Sequence, residues 1–594
     1  MKKILALVLA LCMLVPVLAI GGCGRRSDDD KGAIIQMYLS SFPSNLDPTA
    51  VTYGSADAAK MFGLLYEGLF TMDSNGKLKK ALADKVEYYV DARDNTLKLE
   101  IKLKKSRWSD GIVVGADDFV YSWQRLLKPS NDSPAASLLY PIKNARKVKE
   151  GLCSINDLGI TAIKDDVLQI AFEDGFTNVE YFKRRLASPA LVPLRESNAT
   201  KFDDPENVDY SWDASSSLAL PLTNGPFKYK RVTDKVIELE RNLHYNGVSE
   251  SEDNAVDKVV KPYQLVTLLS EGAKADNQID RYLAGDIFYI NLSEASSDTI
   301  AKAGKTVTTA IPSTYTYFFD TTSELFSDAR VRKALSIALD REHIAELTGR
   351  GAKAAAGVVP YGIEDTTEKT EFRKEAGDLF VPTGDMEAAK ALLKEAGVTK
   401  GSISIEYNRD REYESAIASY VRSVWKELGF NVSDDSKNTK YIYGISSGAN
   451  ELTNGTARVI GMDFQCLTPD AYGMLIGFST QFSGGAIDLT TENVEYSGRN
   501  ITGFADDEYD AVCEEIVSAL NNADRADALH RAEQLLIDKS PIIPLFYNVD
   551  IYASRDLSKI ESNMFGGRNF TKVSQKNYRN YLPVEEDKKT AQAE

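Results

Sequence analysis

The sequence predicts an α/β protein of several domains, and three observations carry that prediction. Over residues 316–540 the apolar residues switch repeatedly between the 3.6-residue period of a helix and the two-residue period of a strand. Earlier, Leu97, Leu99, Ile101 and Leu103 alternate with Lys98, Glu100, Lys102 and Lys104, which gives one dry face, one wet face and a half-exposed sheet. The 594 residues have room for three or four units of roughly 150 residues each, and a composition of 43% hydrophobic and 26% charged residues is ordinary for a folded chain.

From the amino terminus, Lys2 and Lys3 precede an apolar run from Ile4 to Leu18, and Ile20-Gly21-Gly22-Cys23 places small residues directly before a cysteine. This is the pattern of a lipoprotein export signal over residues 1–22. Small side chains fit a signal peptidase beside the cleaved bond, and the thiolate of the new terminus can carry a thioether-linked diacylglycerol. Cys23 is therefore the expected lipidation site; cleavage before Cys12, which follows Leu11, would halve the apolar run. That run is also too short to span a bilayer comfortably. Residues 23–32 contain small and charged residues with nothing to bury, and read as a tether.

After the 97–103 strand, pattern breaks fall near Pro129–Pro134, Pro189–Pro205 and the polar 249–254 segment, which reads as a surface loop. Ser327 or Asp328 can cap a helix that carries Val331, Leu335, Ala338 and Leu339 on one stripe and ends by Gly349. Asp385 caps a second, with Met386, Ala389, Leu392, Leu393 and Ala396 ahead of the stop Gly397. Ile403, Ile405 and Tyr407 form a strand, Ile417 to Leu428 a third helix ending at Gly429, and Phe430 to Val432 a further strand. No internal repeat is visible.

The net charge of -17 argues against nucleic acid as a partner and gives no electrostatic attraction to an anionic bilayer. Beyond the signal and Cys23, the cysteines are Cys153, Cys466 and Cys513, without C-x-x-C spacing, and they read as buried apolar filler. His244, His343 and His530 are scattered, so no zinc site and no other cofactor is expected. Gly444-Ile445-Ser446-Ser447-Gly448 matches the nucleophile-elbow pattern, but a turn-rich stretch follows where a helix is required. No P-loop pattern occurs. The chain reads as a non-enzyme, with hydrolysis by Ser446 as a remote alternative.

A series of phrases spans the mature chain. Asn45-Leu46-Asp47-Pro48, Leu65-Tyr66-Glu67-Gly68-Leu69, Trp108-Ser109-Asp110-Gly111 and Ala116-Asp117-Asp118-Phe119-Val120-Tyr121-Ser122-Trp123-Gln124-Arg125 come first. Asn224-Gly225-Pro226-Phe227, Arg241-Asn242 with Tyr245-Asn246-Gly247, Val331 to Ser336 with Asp340-Arg341, and Pro541-Ile542-Ile543-Pro544-Leu545 follow. Together they resemble family 5 extracellular solute-binding proteins of ABC importers, the oligopeptide-binding branch in particular, over residues 33–580. The resemblance implies a two-lobed periplasmic-binding-protein clamshell with an additional inserted domain. Residues 33–77, 203–307 and 541–594 would form domain I of the first lobe, 78–202 the inserted domain II, and 308–540 domain III, the second lobe. The hinge crossings would lie at Thr308–Tyr315 and Ser540–Asn548. Trp108 and Trp123 read as packing residues.

The resemblance further implies a monomer on the outer face of the membrane that delivers oligopeptides to importer permease subunits. The peptide would add as a strand between the lobes, its main chain met by Thr52, Tyr53, Gly54 and Ser55 of the first lobe and by Gly461, Met462 and Asp463 of the second. In the family pattern Gly-Trp-x-x-Asp-Tyr-x-x-Pro, the Asp partners the peptide's amino group. Aligned on Gly461 and Pro469, this chain has Met462 for the Trp and Gln465 for the Asp. An amide cannot neutralise an ammonium. Either Asp463, two residues away on the same strand face, has taken the role, or the ligand lacks a free amine or is a non-peptide solute such as a metal chelate or modified sugar. Arg458 sits where a ligand carboxylate can be held, with an exposed surface cation as the alternative.

Overall fold

The computed structural model describes residues 31–582 apart from 40–44, 51–55, 132, 214–216, 234–235, 246–252, 269–274, 367–369, 439–440, 443–451, 467, 469, 481–485, 489–494, 498–499 and 520. Its spine is a mixed sheet of eleven strands. In spatial order ten of them are Asn431–Lys437, Ser402–Asn408, Arg458–Gln465, Thr306–Phe319, Ile542–Ser554, Tyr289–Asn291, Ile34–Tyr38, Gln264–Leu268, Val236–Arg241 and Phe227–Val232. The short strand Lys353–Ala354 pairs separately with Ile542–Ser554.

Two long strands join the halves of this sheet. Thr306–Phe319 and Ile542–Ser554 run antiparallel from Thr306↔Ala553 to Phe318↔Ile542, with their register interrupted between Ala310 and Thr314. The far half of the first strand pairs with Arg458–Gln465, and the end of the second with Tyr289–Asn291.

Local sequence accounts for the helices on the second half. Asp385 accepts a hydrogen bond from the Ala388 N–H, and Gly397, at φ +73°, ends the Met386–Ala396 helix in the left-handed turn that glycine adopts without strain. The 402–408 strand, the Glu412–Glu427 helix and the Asn431–Lys437 strand form a parallel unit, with Trp425 buried and donating to the Leu335 carbonyl at 3.0 Å. One expectation fails: the single helix from Ser327 or Asp328 to Gly349 is two. Asp328 caps Ala329–Ile337, and Asp340 starts a second helix, Arg341–Leu347, by accepting from the His343 N–H. Of the 249–254 segment, 249–252 lies outside the described residues, and Asp253 begins the helix Asp253–Val259 rather than a loop.

A separate antiparallel sheet, in the order Ala83–Asp91, Thr96–Leu103, Val167–Ala171 and Ile160–Lys164, contains the alternating strand seen in the sequence. Leu99, Ile101 and Leu103 are buried there and Lys102 is exposed, so the period of two is realised. The shared phrases turn out to be paired structural contacts. Arg125 binds Asp47 at 2.7 Å and Asp203 at 2.6 Å, while Ser133 donates to the Thr49 carbonyl at 2.9 Å, fastening the segment around this sheet to residues 47–49. Asn224 exchanges two hydrogen bonds with the Glu67 backbone, and Arg332 and Arg341 donate to the carbonyls of Ser540 and Pro544. Trp108 and Trp123 are buried, donating to Asp118 and to the Leu191 carbonyl, as their reading as packing residues expects. Cys466 and Cys513 are buried, Cys153 half-buried.

Candidate functional site

The strand Arg458–Gln465 lies in the middle of the second half of the sheet, parallel to Ser404–Glu406 on one side and antiparallel to Ser313–Phe319 on the other. Because strand residues two apart share a face, Gly461, Asp463 and Gln465 look one way and Met462 and Phe464 the other. The second pair is core: both are buried, and Phe464 meets Phe318 edge to face. A Cβ on Gly461 would lie 2.2 Å from the Tyr315 hydroxyl and 2.8 Å from the Tyr317 ring. Those two buried tyrosines would therefore have to shift before any side chain could stand at 461.

Asp463 occupies a polar node. Its Oδ2 receives Arg411 Nη1 at 2.9 Å and its Oδ1 receives Asn548 Nδ2 at 2.8 Å, while Asn548 also donates to Ser313 Oγ at 2.9 Å. Arg411 then reaches across to Glu294, 2.6 Å away, and touches Glu414 at 3.2 Å. One buried guanidinium thus joins the end of the 402–408 strand, the 458–465 strand and the loop after Tyr289–Asn291. Burial disfavours its charge, but Asp463 and Glu294 outweigh this and hold it above the usual arginine range. Burial pushes Glu414 up to about 7, although Arg411, the Tyr315 hydroxyl and the Asn408 N–H favour its charged form.

Gln465 is buried, with Nε2 3.5 Å from the Phe565 carbonyl and Oε1 without a partner among the described residues. The face thus offers an unused amide acceptor beside a carboxylate already held by two donors. Arg458 is not the exposed surface cation of the alternative reading. It is buried, donates twice to the Leu452 carbonyl, and lies 3.3 Å from Glu406 and from the Tyr441 hydroxyl. Thr52, Tyr53, Gly54, Ser55, Cys23 and Ser446 lie outside the described residues. The sequence reading missed Arg411, Glu294 and Asn548. Their contacts span 117, 52 and 85 positions along the chain, and no local periodicity marks residues that meet only after folding.

The profile of bacterial extracellular solute-binding proteins, family 5, middle region, matches residues 77–485, more than half of the chain. The chain belongs to this family. The oligopeptide-binding protein OppA of Bacillus subtilis is 26% identical to it over 580 residues, covering 93% of this chain and 95% of the relative. Among solved structures, Listeria monocytogenes OppA bound to peptide superposes with a TM-score of 0.73 at 22% identity, covering 92% of this chain and 99% of that one. The murein tripeptide binding protein MppA of Escherichia coli gives 0.70 at 23% identity, over 93% and 99% of the two chains. Its unliganded open form gives 0.54 over 94% and 100%. The fold of this family member is the two-lobed clamshell with an inserted domain.

Proposed function

We propose that this family member is a lipid-anchored receptor on the outer face of the membrane that encloses an oligopeptide between its lobes and passes it to an ABC importer. The observation that carries this reading is the similarity to an oligopeptide-binding protein over nearly the whole of both chains. Residues 33–77, 203–307 and 541–594 act as the first lobe, 78–202 as the inserted domain and 308–540 as the second lobe. The hinge works at Thr308–Tyr315 and Ser540–Asn548. The register break between Ala310 and Thr314 supports this, because strands bend most easily where the ladder is interrupted. Thr52, Tyr53, Gly54 and Ser55 meet the peptide from one side, and the Gly461–Gln465 segment from the other.

A second reading, a ligand without a charged amino group, is favoured by the node itself. Asp463 is already neutralised by Arg411, and Gln465 carries no charge. Mass spectrometry of ligand retained by the purified protein, with calorimetry on Gln465→Asp, decides between the two. A free-amine pentapeptide is expected to bind Gln465→Asp about tenfold more tightly than wild type if peptides with an amino terminus are the ligands. Weaker binding of the variant, with an amino-acetylated peptide or a non-peptide solute recovered from the wild type, would establish the second reading.

A further inference from the structure

The segment around the small sheet also touches the second half of the molecule, at residues that are no part of the node at Arg411. On the helix Val179–Arg185, the Tyr181 hydroxyl donates to Asp470 Oδ2 and accepts from Arg525, whose guanidinium also lies 3.2 Å from Asp470 Oδ1. Arg525 stacks 3.7 Å above the Tyr181 ring, and Arg185 4.4 Å above that of Tyr472. At the flanks of this seam Arg184 pairs with Glu364 at 2.6 Å, and the Asn178 and Asn522 amides are hydrogen-bonded.

We propose that the inserted domain is the lock of the closed state, its helix Val179–Arg185 clasping the second lobe at Asp470 and Arg525. The inference rests on the two-lobed reading above. Arg125 and Ser133 fasten the inserted domain to residues 47–49 of the first lobe, so opening the cleft must pull Tyr181 away from Asp470. Asp470 lies a short stretch beyond Gln465 on the same chain segment, so a ligand held against the 458–465 strand sits on the segment that carries the clasp. The chemistry suits a contact that has to part. Tyr181, Asp470, Arg525 and Arg185 are all buried, and burying paired charges costs nearly what their attraction returns. Arg525 Nη1 and Arg185 Nε, moreover, have no hydrogen-bond partner among the described residues. Such a seam specifies one geometry while adding little net stability, and a lock far more stable than the ligand complex would never release.

The test uses the full mature chain carrying Asn178→Cys and Asn522→Cys, with Tyr181→Phe as a second variant. Without ligand, the reduced double variant is expected to have a larger radius of gyration by small-angle scattering than its oxidised, cross-linked form. Tyr181→Phe, which keeps the ring and removes the bridging hydroxyl, should melt like wild type but release a bound pentapeptide about tenfold faster. An equal radius before and after oxidation, or failure to cross-link, would overturn the lock. A pentapeptide mixture should also speed cross-linking about tenfold. Binding seen by calorimetry without that acceleration argues against the lock, whereas no binding at all counts against the peptide reading alone, since the ligand-free comparison still decides the lock.

Discussion

Gly461 and Glu414 show how single residues set the properties of the central strand. A methyl group at 461 would collide with Tyr315, anchored by its 2.7 Å hydrogen bond to Glu414, and with the buried ring of Tyr317. Gly461→Ala is expected to cost about 1–3 kcal/mol through overpacking, seen as a lower thermal midpoint. An unchanged midpoint would mean that the two tyrosines move aside freely. Glu414 makes the strand's surroundings sensitive to pH. Its folded pKa of about 7 lies above the ordinary 4.5, so the folded state binds the proton more tightly than the unfolded state. The stability from this group is full below pH 4.5 and is lost as pH rises to about 7, a fall of up to roughly 3 kcal/mol. Glu414→Gln should flatten that part of the stability profile in chemical denaturation. Glu67, also raised to about 7 by burial, supplies a residual slope in the same direction. A variant with the wild-type slope would show that Glu414 is ionised throughout.

Among the elements, those with a local signal were legible in the sequence. The alternation at 97–103, the cap Asp385 and the stop Gly397 all reappear because short-range hydrogen bonds and one-sided burial create them. The split of the 329–347 region was not legible. Ala338 and Leu339 continue the apolar stripe, and only Asp340, whose side chain serves the second helix, marks the break. Arg341 shows why the chain turns there: its guanidinium leaves the helix line to bond the Pro544 carbonyl at 2.8 Å and Ser336 Oγ at 2.8 Å. Asp340→Ala is expected to cost about 1 kcal/mol as a lost cap, measured by denaturant midpoint. A negligible change would assign the break to Arg341 alone. At the candidate site the segment was legible, because Gly461 and Pro469 fit the spacing of a family phrase. The polar node was not, since Arg411, Glu294 and Asn548 come from three separate parts of the chain.

For the whole molecule, the proposed function requires something that keeps it at a membrane. The surface is acidic, with a net charge of -17 that becomes more negative once a signal containing Lys2 and Lys3 is removed, and anionic headgroups repel it. Among the described residues, no helix is long and apolar enough to cross a bilayer. On the proposed reading, the two acyl chains expected on Cys23 supply the attachment. A pair of chains holds where a single one gives only marginal, reversible binding. On that reading, Cys23→Ala is expected to move the protein from the membrane fraction to the soluble exported fraction. High salt should leave the wild type sedimented, since no ionic attraction contributes to its attachment. A Cys23→Ala protein that still sediments with membranes after a salt wash would place the anchor elsewhere in the chain, and release of the wild type by salt would assign the attachment to a charged partner instead of lipid.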